Sequence, residues 1–169
     1  VRGWSQSRFV NGWRLITMIR GICFCVPNGC PKLFEKILHD IDIIKYTWEN
    51  IENDNQVYRL NKNNDFLFTK PFYTGYEFKK LISSNNYYSI FVHLHAYFTN
   101  ELQKIDSYYD FLNSKCQMII LLTDSIFVEV YCKDVTIIQT LKQNAKKNSF
   151  KDIRYITDKN DTRDKFCAI

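Results

Sequence analysis

From Tyr88 to Phe98 the chain reads as its clearest strand, with an apolar face and a face that carries two histidines. Ile90, Val92, Leu94, Ala96 and Phe98 share one face of the strand this predicts, and Phe91, His93, His95 and Tyr97 share the other. Cys116 to Leu122 is almost continuously apolar, as a central strand covered on both faces would be. Ile19 to Val26 alternates again, with Ile22, Phe24 and Val26 on one face and Gly21, Cys23 and Cys25 on the other. Further strands are expected around 44–50, 56–60, 126–132 and 152–157. Helical spacing takes over in four places. Leu33, Phe34, Ile37, Leu38 and Ile41 form a stripe after Pro31, and Phe78, Leu81 and Ile82 form one within 75–84. Ser107 and Asp110 have capping-box spacing and open a short helix with Tyr108, Phe111 and Leu112. Asp134 caps a helix with Val135, Ile138, Leu141 and Ala145 inward. Pro27-Asn28-Gly29 and Thr123-Asp124-Ser125 read as tight turns, and 61–74 as a loop with a short extended piece at Phe66-Leu67-Phe68.

The resulting order is β-α-β-β-α-β-α-β-β-α-β. It predicts an α+β fold, a single mixed and mostly antiparallel sheet with helices mainly on one face. The half beginning at Tyr88 has the element order of a ferredoxin-like unit, and so has the first half if the 88–98 strand is shared, which suggests a ferredoxin-like duplication.

The 169 residues suit one domain able to bury a core without disulfides or metal, and no apolar stretch is long enough to span a bilayer. The net charge of +5 is uneven. Three of the 23 basic residues precede Met18 and no acid does, so the remainder carries 20 bases against 18 acids. A near-neutral body argues against a broad phosphate-facing surface and so against nucleic acid as the partner. Residues 1–17 also lack Lys and Tyr, which crowd the rest. With an AGA or AGG codon for Arg14, Trp13-Arg14 spells a ribosome-binding GGAG a few codons before Met18. Residues 1–17 are therefore expected to be a non-native N-terminal extension, with Met18 the natural start and 18–169 the domain.

Six cysteines without a clean secretory signal read as reduced thiols. Cys23 and Cys25 share a face, as do His93 and His95. If the first strand lay beside the 88–98 strand, these four would converge as zinc ligands or as a thiol nucleophile with an imidazole base. Neither spacing is that of a zinc finger or a thiol-enzyme signature, and the plainer expectation is small residues under a helix and half-exposed imidazoles. No metal and no cofactor is assigned, and no catalytic set is assembled beyond the candidates Cys23, Cys25, His93 and His95. Arg20-Gly21 with Phe24 faintly echoes an RNA-recognition strand. In the polar C-terminal segment Asp158, Asn160 and Thr162 mimic the start of a calcium loop without its glycine. Asp158, Asn160, Asp161 and Arg163 are the first candidates for partner or anion contacts.

The blocks RGICFCVPNG (20–29), YYDFLNSKCQMIILLTDSIFVEVYCKD (108–134) and FKDIRYITDKNDTR (150–163), taken together, resemble a family from Bacillus and its relatives, domain-of-unknown-function family 2691. The resemblance runs from about Met18 to the end and excludes 1–17. It implies a short Met-Lys/Ile-Arg-Gly-Ile-like start, in agreement with Met18, and a first strand that does not require paired cysteines. It implies a small cytoplasmic protein of a low-GC Gram-positive bacterium and brings no activity, cofactor or catalytic residue.

Many Tyr and Phe and no catalytic constellation together point to a non-catalytic module that binds a protein partner, an immunity or antitoxin-like role being one concrete form. The alternatives are a small thiol-dependent hydrolase using Cys23 or Cys25 with His93 or His95, and an RNA-binding sheet protein.

Overall fold

The long alternating strand becomes the organiser of the sheet. The computed structural model describes residues 17–51, 54–61, 63 and 65–167, together with the backbone of 9–10 and 13–14, which pair with each other. The rest of the stretch read as a non-native extension lies outside the described residues.

In chain order the strands are β1 (Ile19–Cys25), β2 (Thr47–Asn50), β3 (Gln56–Arg59), β4 (Phe72–Thr74), β5 (Tyr87–Tyr97), β6 (Cys116–Thr123), β7 (Phe127–Cys132) and β8 (Lys151–Thr157). The helices are α1 (Leu33–Ile37), α2 (Gly75–Ser84), α3 (Tyr108–Asn113) and α4 (Val135–Lys147), with a 3-10 turn at Ile43–Lys45. The sheet order is β8-β1-β7-β6-β5-β2-β4, and β3 also pairs with β5. Every pairing is antiparallel, which places the chain in the α+β class. No helix among the described residues is long and apolar enough to cross a membrane.

Sequence chemistry explains the ends of these elements. Thr74 and Glu77 close a reciprocal capping box on α2, and Ser107 and Asp110 close one on α3. The Asp134 carboxylate accepts the Thr136 N–H at 2.8 Å at the start of α4. Asp124 and Ser125 both take left-handed backbone, φ 53 and 63, in the turn that joins β6 to β7. At Gly21 a Cβ would stand 2.1 Å from the Val130 carbonyl oxygen, so only glycine lets β1 lie this close to β7.

The sheet has a core on each face. On the first, α1, α2 and α4 cover β-strand residues; the Trp48 and Phe78 rings stack at 4.2 Å and Phe24 stacks on Phe150. Each fully buried aromatic there contributes about 2–3 kcal/mol of transfer free energy. On the second, α3, the loop 99–107 and the C-terminal segment cover Tyr97, Ile119, Leu121 and Tyr131, and Phe166 packs edge-on to Tyr131.

Several expectations change. A strand at Phe72–Thr74 was not foreseen; it is short, at the sheet edge, and lies inside the stretch read as loop. Helix α1 ends at Ile37, so Ile41 lies beyond it, and Val135 is exposed because α4 turns Ile137 and Ile138 inward instead. The ferredoxin-like grouping differs as well. The neighbour order β8-β1-β7-β6 is that of a βαββαβ unit, but its first strand is β1 and not β5. Residues 43–115 are an insertion between α1 and β6 that extends the sheet through β5, so the predicted duplication about a shared 88–98 strand is not the arrangement present.

Candidate functional site

Alternation along β5 puts His93, His95 and Tyr97 on the second face, beside Leu121 and Ile119 of β6. On the other flank β2 and β3 both pair with β5, and the ladder pairing is interrupted between Asn50 and Gln56. This interruption matters because Asp54 and Asn55 come from it. The Asn55 side chain takes up the ladder bonds opposite His93, accepting its N–H and donating to its carbonyl, each at 2.8 Å. Asn55 also donates to Asn50 Oδ1 at 2.7 Å. Asp54 is thereby held against the His93 ring.

A continuous polar chain results. Asp54 Oδ2 lies 2.7 Å from His93 Nδ1, His93 Nε2 lies 2.9 Å from His95 Nε2, and His95 Nδ1 lies 3.2 Å from Glu49 Oε2. Glu49 is the β2 residue paired with His95, so its carboxylate arrives by register. The Tyr97 hydroxyl is 3.1 Å from Glu49 Oε2, 3.1 Å from the Gln103 carbonyl and 3.4 Å from His95 Nδ1. Both imidazoles are 2% exposed, where half-exposed rings were expected, because loop 99–107 and Phe166 fold over this part of the face. Burial, with the neighbouring His95 second, pushes His93 down to about 4 against the support of Asp54. Burial pushes the Tyr97 hydroxyl up. A cleft of about 430 Å³ opens above the chain, lined by Glu49, Asp54, Gln103, Lys104, Asp106 and Phe166 among others.

The cysteines do not join this site. Cys23, Glu129, Leu121 and His93 stand in one row across the sheet, so β7 and β6 separate β1 from β5. Three interstrand steps amount to about 14 Å. The condition for a Cys–His dyad or a mixed zinc site, adjacency of the two strands, is therefore not met. Cys23 Sγ instead accepts from Arg154 Nε at 3.2 Å, and burial raises both thiols, Cys25 further through Asp152. A raised thiol is a poor nucleophile. Among the described residues no three His, Cys, Asp or Glu converge as a metal-holding group.

The C-terminal candidates are engaged within the fold. Asp161 pairs with Arg20 at 3.0 Å and accepts the Tyr131 hydroxyl at 3.0 Å. Arg163 pairs with Glu129 and donates to the Cys167 carbonyl at 2.8 Å. Asp158 accepts from the Met18 N–H at 3.1 Å, and Asn160 accepts from the Thr157 N–H at 2.7 Å. Together they strap the C-terminal segment over the second face.

Sequence reasoning placed His93, His95 and Tyr97 on one face and named the two histidines as candidates; it did not single out Glu49 or Asp54. The alternation Thr47, Glu49 against Trp48, Asn50 carried a signal for Glu49; nothing local marked Asp54.

Among known proteins the chain is similar to the uncharacterized protein YncE of Bacillus subtilis (strain 168), 32% identical over 148 residues that span 86% of this chain and 97% of that protein. No solved structure matches. The family model "Protein of unknown function (DUF2691)" matches residues 19–167, and the chain belongs to that family.

Proposed function

We propose that the chain is a cytoplasmic, non-catalytic binding module that takes a basic side chain of a protein partner into the cleft over His93 and His95, in the manner of an immunity or antitoxin-like protein. The observation that carries this reading is the charge of the cleft. Glu49 and Asp54 lie in its floor and Asp106 on its rim, where Lys104 offsets one of the three at 2.7 Å. His93 stays uncharged at neutral pH, since its pKa falls to about 4, and so does not cancel the carboxylates. An acid-lined concavity selects a cation and repels phosphate, which weighs against the RNA-binding alternative. The separation of Cys23 and Cys25 from the imidazoles removes the support for a thiol hydrolase.

Affinity capture with the wild-type chain and with Asp106→Lys tests the reading. Asp106 is exposed at the rim, so the substitution reverses charge without touching the core. A partner retained by wild type and lost by Asp106→Lys is expected; a partner held equally by both chains, or none held by either, overturns it.

A further inference from the structure

Arg59 ends β3, and its partner across the ladder is Tyr87. Val57, two residues earlier, is buried in the first core, so alternation turns Arg59 to the same face, beside α2. There the half-buried guanidinium makes no hydrogen bond and no ion pair among the described residues, and its Nε is shut off from solvent without a partner. A guanidinium carries five N–H donors and stays charged. Leaving it half-buried and unpaired costs free energy that an anion at its outer N–H groups recovers.

The surroundings suit one. Arg59 lines a cleft of about 300 Å³ between α2 and the chain at Thr69 and Lys70. Glu77, Lys80 and Ser84 recur at helical spacing and form the α2 wall. The opposite wall is pinned by the Tyr73 hydroxyl, which accepts the Thr69 N–H at 2.6 Å and the Lys70 N–H at 2.9 Å. The one acid of the lining, Glu77, is spent on Lys70 at 2.9 Å and on the α2 capping box. The Lys80 ammonium and the hydroxyls of Thr69 and Ser84 have no partner among the described residues. The carbonyls at the C-terminal end of α2, which would repel an anion, are covered. Lys32 Nζ donates to those of Ser83 and Asn85 at 2.5 and 2.7 Å, and Asn85 Nδ2 to that of Leu81 at 2.7 Å.

Three positive charges thus face one negative charge, with hydroxyl donors beside them. We propose that this cleft binds a phosphate group, free or as a small monoester, with Arg59 as its anchor and Lys80, Thr69 and Ser84 as further donors. A dianionic phosphate balances the surplus charge and accepts two parallel N–H···O bonds from a guanidinium. The cleft lies across the sheet from His93 and His95, so the inference does not depend on the partner reading.

The test follows backbone amide shifts of isotope-labelled protein by NMR as sodium phosphate is added at constant ionic strength, with sodium chloride as control and glycerol phosphate as the ester. Saturable shifts at Thr69, Lys70, Lys80 and Ser84 are expected, with a Kd of about 1 mM or below, and none with chloride. Arg59→Gln weakens binding by about 10-fold or more and Lys80→Gln by less, while Asp106→Lys leaves it unchanged. Tighter binding of glycerol phosphate identifies a monoester as the source, and tighter binding of inorganic phosphate the free ion. Phosphate raises the melting temperature of wild type and not that of Arg59→Gln. Without phosphate Arg59→Gln melts no lower than wild type, because it gives up no side-chain partner among the described residues. No saturable shift by about 10 mM phosphate, equal binding by Arg59→Gln, or shifts scattered over lysines outside the cleft overturns the proposal. So does a marked loss of stability in Arg59→Gln, which would mean that the guanidinium already has a structural partner.

Discussion

The Asn55 side chain substitutes for a strand opposite His93: its Oδ1 accepts the His93 N–H and its Nδ2 donates to the His93 carbonyl, both at 2.8 Å. One amide thereby closes the ladder where β2 breaks from β3 and brings Asp54 to the imidazole. Asn55→Ala leaves the His93 N–H and Asn50 Oδ1 without these partners, while the His93 carbonyl keeps the Ile51 N–H at 3.2 Å. A loss of about 1–3 kcal/mol in urea unfolding is expected, and a change below experimental error would show that the clamp is not structural.

His93 makes stability depend on pH. Its folded pKa of about 4 lies below the ordinary imidazole value of 6.5, so between these pH values the unfolded chain binds the extra proton. Stability is then fully present above about pH 6.5 and falls as pH drops toward 4, by about 3 kcal/mol across the window. Unfolding at a series of pH values measures the slope, and His93→Gln is expected to flatten it. A wild-type slope of zero over this range contradicts the assignment.

Gly21→Ala drives a Cβ into the Val130 carbonyl oxygen at 2.1 Å, with backbone on both sides and no flexible atom to yield. The two central strands must separate, at a cost of about 3 kcal/mol or more. Thermal unfolding reads this directly, and a melting temperature equal to wild type would mean that β1 is not packed against β7 as described.

Asp161→Ala removes the partner of Arg20 and of the Tyr131 hydroxyl together. A loss of about 2–3 kcal/mol is expected, with earlier proteolysis of the C-terminal segment and an unchanged His93 titration. A shift of that titration would show that the strap and the histidine chain are coupled.

Thiol labelling separates the cysteines by environment. Cys167 is exposed and reacts first; Cys116 and Cys132 are buried, pushed up to about 12 and about 11, and label only on unfolding. Cys23 and Cys25 label slowly because burial raises them. Rapid, selective alkylation of Cys23 at neutral pH would reopen thiol chemistry on this face.

Particular elements show how far local pattern reaches. The alternation of β5 and the unbroken apolar run of β6 were legible because a strand's faces repeat every second residue whatever its neighbours are. The capping residues Ser107 and Asp134 were legible because a cap is satisfied within three residues. Strand β4 was not, because three residues that run straight into α2 carry no period. His93 and His95 were rightly placed on one face, as were Cys23 and Cys25, but alternation does not say which strands lie side by side.

Element type, face and capping therefore came from short-range periodicity, which acts over a few residues. Sheet order came from packing between distant segments: β7 and β6 inserted between β1 and β5, and β2 with its interruption came to the other flank of β5. That order parted the thiols from the imidazoles and gave each imidazole a carboxylate. Hydrogen bonds of about 3 Å depend on which side chains meet across strands, and segments tens of residues apart meet only when the whole sheet closes.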